Sequence, residues 1–430
     1  MNNKTITRII NNDLFKDSFW ALFGNALGKG LSVLAGIIVA RLLGKDLYGE
    51  FGLLRNTLTI IAVFSTMGLG YSGTVFISEN KDRNVDRIRN LSVLIQAITI
   101  VFSSVVAFII FLFSNELASF LEDNSLAIPI RLLSIVIVFN AITTSQIGIL
   151  AGLKEFKGTA RVNILSGILN FVFTCLLTWL YGFNGALISL LISQILNCFF
   201  NSLLLSNTIG CSKIHFRFLI DEVKPILGFS FPVAMQEMTV SFAHWATAIF
   251  LLKLSNYGEI GLYSAAGQWI AIIQFLPIAL RNVTLSHMSG SQREDDRRKI
   301  LKRMVILIIF ATLLPTLIIL VFNRLIDTLY GESFVNVGLV IVIACVGASI
   351  NSVFSVFASD LMARRHNWSL FAINVSRELL KFPLIYIFIK ISISGAFSAF
   401  YSTIIVEVIA LSICLIVRNR ITFYNKKWMI

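Results

Sequence analysis

Six basic side chains lie inside stretches of sequence that are otherwise apolar: Lys29, Arg55, Arg131, Arg281, Arg377 and Lys381. A charge near the centre of a bilayer costs at least about 2.5–3.5 kcal/mol, so a residue so placed faces a partner or a wet space. Arg131 stands close enough to an outer surface to snorkel, which leaves five cations, with Arg281 near an inner surface. Cations at such depth are suited to holding an oxyanion. Arginine does so through paired N–H donors and lysine as a point charge. Arg377 and Lys381, four apart, share a helix face, and Glu378 can reach Lys381 from the adjoining one. The acids at similar depth are Glu237, Glu378 and Glu407, with Asp360 near an inner end.

Glu237 and His244 are seven residues apart, close to one helix face. Half-buried carboxyl and imidazole groups can titrate near neutral pH, so Glu237, His244 and Glu378 are candidates for gating or for carrying a coupling proton. Two readings fit the charges as a set. In one, Glu237–Lys29 and Glu378–Lys381 are buried ion pairs that fix helix register. In the other, the basic groups line a central aqueous cavity and hold an anionic head group. A pair closed in one conformation can open in another, so the two readings overlap.

The elements that must position these groups follow from composition. Hydrophobic residues make up 56% of the chain and charged residues 14%, against roughly 25% charged in soluble domains. This is the composition of a membrane protein. A formal charge of +13 raises the question of nucleic acid, but the basic residues are spread between apolar runs rather than gathered in one patch. The five cysteines show no metal or disulfide spacing and read as small apolar residues. No P-loop, H-E-x-x-H or G-x-S-x-G pattern occurs, and the polar loops are too short for a catalytic domain. The chain is not expected to be an enzyme.

A span needs about 20 apolar residues. Twelve stretches qualify: 18–40, 48–72, 90–114, 127–153, 162–181, 184–206, 226–252, 258–284, 304–322, 335–362, 367–389 and 394–417. Before them, residues 1–16 have the spacing of a short interfacial helix, and no cleavage site for a signal peptide follows. With the N-terminus in the cytoplasm, the inside segments carry 25 basic residues and the outside segments five. Cationic loops resist export, so both termini are expected in the cytoplasm.

The hairpin between the first two spans, Ala40–Leu53, reads ARLLGKDLYGEFGL, and Ile249–Leu262 reads IFLLKLSNYGEIGL. The echo lies 209 positions on and suggests that one unit was doubled. Each copy starts inside and holds six spans, so the repeats are parallel. The expected organisation is an N-terminal lobe over 1–207, a cytoplasmic linker over 208–225 and a C-terminal lobe over 226–430. The fold class is therefore an all-α integral membrane protein of 12 transmembrane helices, in two pseudo-symmetric six-helix lobes around a central cavity. Aligned through the echo, Glu237 answers Gly28, next to Lys29. Glu50 and Glu259 are expected to cap span starts. Amides such as Asn163, Asn170, Asn197, Gln268, Gln274 and Asn351 act as interhelical glue or cavity lining, and Trp245 and Trp269 are candidates for stacking on a sugar ring.

The segment ARLLGKDLYGEFGLLRN, followed by Gly68-Leu69-Gly70, resembles the polysaccharide-transporter branch of the multidrug/oligosaccharidyl-lipid/polysaccharide exporter superfamily. More narrowly it is similar to the O-antigen repeat-unit flippases (Wzx type). The matching motif positions are Arg41, Gly44, Tyr48 and Gly49. The resemblance implies a bacterial inner-membrane flippase with a V-shaped pair of lobes. Its cargo would be an undecaprenyl-pyrophosphate-linked glycan, moved from the cytoplasmic to the periplasmic leaflet by alternating access. It also implies coupling to H+ or Na+ with no other cofactor, and an O-antigen polymerase and chain-length regulator as partners. Lys29, Arg55, Arg281, Arg377 and Lys381 would then meet the pyrophosphate. Alternatives are a multidrug/cation antiporter, which would want an acid deep in the first span, and a peptidoglycan-precursor flippase, which typically carries two further C-terminal spans. A polymerase subunit would be expected to carry a large outside loop.

Overall fold

The computed structural model describes residues 13–80, 85–210, 216–278, 280, 294–364, 366–391 and 393–427. Arg281 and most of the expected interfacial helix fall outside them. Among the described residues all regular structure is helical. In chain order the helices are α1 Asp13–Thr66, α2 Leu69–Asn80, α3 Val85–Leu112, α4 Ser114–Phe120, α5 Ala127–Gly152, α6 Phe156–Ile209 and α7 Phe216–Leu254. They continue as α8 Tyr257–Ile273, α9 Glu294–Val321, α10 Asn323–Tyr330, α11 Val337–Ala363, α12 Asn367–Lys390 and α13 Gly395–Lys427. Seven helices among the described residues are long and apolar enough to cross a membrane. The chain is a multi-pass membrane protein.

Two of the seven are longer than one crossing needs. A straight helix of 54 residues would run about 80 Å at about 1.5 Å per residue, against a hydrocarbon core of about 30 Å. Both 54-residue helices break at a glycine: α1 at Gly44 (φ 75°, ψ 170°) and α6 at Gly182 (φ 56°, ψ −132°). In α6 the chain turns back there. Ser193 Oγ lies 2.5 Å from Asn170 Oδ1, 23 residues earlier, and Gly185 packs on the Leu177 carbonyl. Gly182 falls in the gap between the apolar stretches 162–181 and 184–206.

The spacing of the sequence echo recurs in the helix boundaries. Helices α3 and α9 end 209 positions apart, at Leu112 and Val321, and the short helices α4 and α10 begin 209 positions apart. The chain forms two compact units, one of Met1–Leu43 with Phe51–Ala246 and one of Gly44–Glu50 with Thr247–Ile430.

In the first unit α5 packs against α2, α3 and α6. Its Gly148 and Gly152 stand four apart, and their missing side chains let α2 approach: a Cβ on Gly148 would run into the Gly70 carbonyl, and one on Gly152 would stand 2.8 Å from Ile77 Cβ. Leu69, Ile77, Leu91, Ile95, Ile149 and Leu150 form the core around that contact. In the second unit α11 is the central helix, packed on α8, α9 and α13, with α12 also on α13. Its core includes Phe354, Leu361, Leu370 and Cys414. Pro315 and Pro383 sit inside α9 and α12.

Candidate functional site

The second unit holds a buried charge network spanning three helices. Arg377 Nη2 on α12 lies 3.0 Å from Glu378 Oε1, and Nη1 lies 3.2 Å from Glu407 Oε1 on α13. Lys381 Nζ is 2.8 Å from Glu378 Oε2. Asn351 on α11 donates to Glu407 Oε1 at 2.8 Å and accepts from Gln274 Nε2 at 3.3 Å. The Arg377 guanidinium also stands over the Phe354 ring, 5.5 Å from its centroid. Lys381 and Glu407 are buried, which charged groups tolerate only when paired and hydrogen-bonded.

The expected Glu378–Lys381 pair is therefore formed, but the expected surplus of positive charge is not. Two cations meet two carboxylates, and the group sums to zero. Glu407, on another helix, supplies the charge that the α12 sequence does not. As placed here, Arg377 and Lys381 could take an anion only by giving up a carboxylate.

The first unit holds a pocket of a different kind, with a volume of about 250 Å³. Helix α1 contributes Gly24, Gly28, Lys29 and Ser32. The first arm of α6 contributes Asn163, Ser166, Gly167 and Asn170, and its second arm Ser193, Gln194 and Asn197. The glycines set the spacing. A Cβ on Gly24 would stand 2.6 Å from Ala160 Cα, and one on Gly167 would stand 3.2 Å from Gly28 Cα, so α1 and α6 meet almost backbone to backbone. Asn170 Oδ1 accepts from Thr174 at 3.0 Å and from Ser193 at 2.5 Å, which fixes its amide. Ser166 Oγ is buried without a hydrogen-bond partner. Among the described residues, Lys29 is the one charged side chain in the wall.

Asn163, Asn170 and Asn197 are thus pocket lining rather than simple glue. Ser32, Ser166, Ser193 and Gln194 were not singled out in the sequence. The signal was present as a polar stripe at helical spacing, 163, 166 and 170 on one arm and 193 and 197 on the other.

The remaining candidates are dispersed. The expected Glu237–Lys29 pair is replaced: Glu237 Oε1 on α7 accepts from the Tyr71 hydroxyl on α2 at 2.7 Å. Nearby, the Ser72 and Ser230 hydroxyls lie 2.5 Å apart. His244 is exposed on α7. Arg55 is exposed on α1 and makes no ion pair among the described residues. Arg281 lies outside the described residues. The two tryptophans are engaged in packing. Trp245 donates to Thr57 Oγ1 at 3.1 Å and stacks on Phe120, and Trp269 donates to the Tyr330 hydroxyl at 3.0 Å.

The hairpin motif is structural within the second unit. Tyr48 is buried, accepts a hydrogen bond from Gln268 Nε2, and meets the Phe334 ring edge-on at 5.8 Å. Gly44 supplies the positive φ of the turn, and Arg41 is exposed. The two copies of the motif lie on each other: Gly49 packs on the Tyr257 carbonyl, and Gly261 packs on the Lys45 carbonyl. Glu259 Oε2 accepts from the Ala396 N–H at 2.7 Å, capping the start of α13. Burial also raises the Tyr330 phenol, chiefly by desolvation, so Tyr330 stays a neutral acceptor for Trp269.

Comparison with known proteins places this architecture. A family described as "Polysaccharide biosynthesis protein" matches residues 38–339. A Shigella flexneri protein named "Putative O-antigen transporter" is 20% identical over 331 residues, 75% of this chain and 78% of its own length. Among solved structures, an inward-facing multidrug resistance MATE family transporter of the MOP superfamily has a TM-score of 0.76 at 16% identity, over 94% of this chain and 99% of that one. The lipid II flippase MurJ, in an inward closed conformation, has a TM-score of 0.70 at 18% identity, over 93% of this chain and 87% of its own. At such identities the structural likeness speaks for the fold.

Proposed function

Because the chain belongs to the polysaccharide biosynthesis protein family, within the MOP superfamily, we propose that it is a flippase for an undecaprenyl-pyrophosphate-linked oligosaccharide. It is a transporter, not an enzyme. In this reading twelve spans form two six-helix lobes in the bacterial inner membrane, with both termini cytoplasmic. The cargo passes from the cytoplasmic to the periplasmic leaflet by alternating access, coupled to H+ or Na+, and is handed to a polymerase and a chain-length regulator.

The observation that carries the reading is the Lys29 pocket. Its wall of amides and hydroxyls suits a glycan, and among its described residues the charged side chain is a lysine. A cation antiporter shares the fold, but a cationic drug would find no carboxylate among the described residues of that wall. Deleting the gene should cause lipid-linked glycan to accumulate on the cytoplasmic leaflet, as measured by protection from a periplasmic glycan-cleaving enzyme. Normal delivery to the periplasm in the deletion strain would overturn the proposal. Raised drug sensitivity without glycan accumulation would favour the antiporter.

A further inference from the structure

We propose that the outward face of α9 is a docking surface for an anionic phospholipid, whose headgroup is held by Lys302 and Arg303 near the start of the helix. The proposal needs only that the chain crosses a membrane, and it is independent of what the chain transports.

Helix α9 divides into two faces. Leu301 and Ile308 turn inward and pack with Val356 of α11, and Thr316 Oγ1 lies 3.3 Å from Ser349 Oγ on the same helix. On the other side every exposed residue from Ile306 to Val321 is apolar. Phe310, Leu314, Leu317, Ile318 and Val321 make up much of that stripe, at the three- and four-residue spacing of one helix face. Lys302 and Arg303 are exposed one turn before Ile306 and Leu307, so both cations stand on the face of the stripe. Neither makes an ion pair or a side-chain hydrogen bond among the described residues.

Depth identifies the layer that the cations meet. Lys302 and Val321 are 19 positions apart, about 28 Å at about 1.5 Å per residue, against a hydrocarbon core of about 30 Å. With the stripe among acyl chains, Lys302 and Arg303 reach the headgroups, where cations attract anionic lipids. Asp295 and Asp296 precede the two cations by seven positions, about 10 Å along the helix axis, which is too far for a contact pair.

The first unit supplies the contrast. Val101, Val105, Phe108, Ile109 and Leu112 of α3 lie 209 positions before those five residues of α9 and are exposed as well. The positions that answer Lys302 and Arg303 are Val93 and Leu94, and Leu94 is buried in the core. The cations that α3 carries near its start are engaged inside the unit. Arg87 meets Glu222 at 2.7 Å, and Arg89 donates to the Ile209 carbonyl at 2.6 Å. An apolar face alone fits any lipid; the two added cations of α9 select an anionic one.

The test is native mass spectrometry of the full-length protein, delipidated in a neutral detergent and titrated with phosphatidylglycerol or phosphatidylcholine of the same acyl chains. Phosphatidylglycerol should be held about tenfold more tightly, through two cations near the membrane surface, and the difference should shrink as ionic strength rises. Lys302→Gln with Arg303→Gln should remove the preference, whereas Lys302→Arg with Arg303→Lys should keep it. Each single glutamine replacement should lose part of it, so the result does not depend on the double variant folding. Arg324→Gln, which removes an exposed cation beyond the far end of α9, should leave the preference intact. Soluble glycerol phosphate should not compete, because it lacks the chains that lie along the stripe. Equal affinity for the two lipids, a preference that survives the glutamine replacements, or its loss in Arg324→Gln would each overturn the proposal. Competition by glycerol phosphate would also overturn it, by assigning the cations to a free phosphate.

Discussion

Arg377 on α12 and Glu407 on α13 are 3.2 Å apart, the carboxylate buried and the guanidinium nearly so. The pair ties two helices of the second unit at a depth where neither charge could be left alone. Breaking a buried pair by removing one partner costs about 3–5 kcal/mol, whereas replacing both with well-packed apolar groups is often neutral. Glu407→Ala should therefore lower the thermal unfolding midpoint in detergent strongly. The double replacement Arg377→Met with Glu407→Leu should recover most of the loss. An unfolding curve for Glu407→Ala that overlays the wild type would show that the pair contributes little.

Arg55 provides the contrast. It is exposed and makes no ion pair among the described residues, so its removal costs no partner its counter-charge. Arg55→Gln should reduce surface polysaccharide while the amount of protein in the membrane stays at the wild-type level. Arg377→Gln should reduce both, because it strands Glu407. Immunoblots of the membrane fraction beside a surface-glycan stain separate the two effects. Unchanged glycan in Arg55→Gln would remove Arg55 from the cargo path.

These two arginines also mark how far the sequence could be read. Features with a period along one helix, or with a fixed offset, were legible. The gap at Gly182 and the 209-residue echo reappear in the helices, and seven helices among the described residues have the length and apolarity of a span. Glu378–Lys381 was legible too, since i,i+3 neighbours meet in any helix. Contacts between helices were not. Glu407 is 30 residues from Arg377, and nothing in either stretch names the other as partner. Tyr71 takes Glu237, and Gln268 takes Tyr48, through packing that only the folded chain displays. The polar stripe of α6 lay between these cases. Its spacing was visible, but its partner, the Gly24–Gly28–Ser32 face of α1, was not.

The hydrogen bond between Tyr71 and Glu237 allows charge and contact to be separated. Glu237→Gln removes the charge and keeps an oxygen that can accept from the tyrosine. Tyr71→Phe keeps the carboxylate and removes the donor. If Glu237 carries a coupling proton, glycan export driven by an imposed pH gradient should be lost in Glu237→Gln and largely kept in Tyr71→Phe, measured in inverted vesicles. Equal export by the two variants would assign Glu237 to helix packing.

Three glycines separate close approach from backbone strain. Gly261 sits in α8, and a Cβ there would run into the Lys45 carbonyl of the other motif copy. The obstacle is backbone, which cannot rotate aside, so Gly261→Ala should cost at least the upper end of the roughly 1–3 kcal/mol of core overpacking. Gly182 has no atom within 4 Å of an added Cβ but holds φ 56°, a conformation that costs other residues about 1–3 kcal/mol. Gly267, six positions beyond Gly261 in the same helix, has neither constraint, and alanine there should stabilise by up to about 1 kcal/mol through helix propensity. Thermal midpoints measured in one detergent should rank Gly267→Ala above wild type, then Gly182→Ala, then Gly261→Ala. If Gly261→Ala matched Gly267→Ala, the two motif copies would not be in the close contact that their glycines permit, and the shared spacing of YGEFGL and YGEIGL would need a different physical cause.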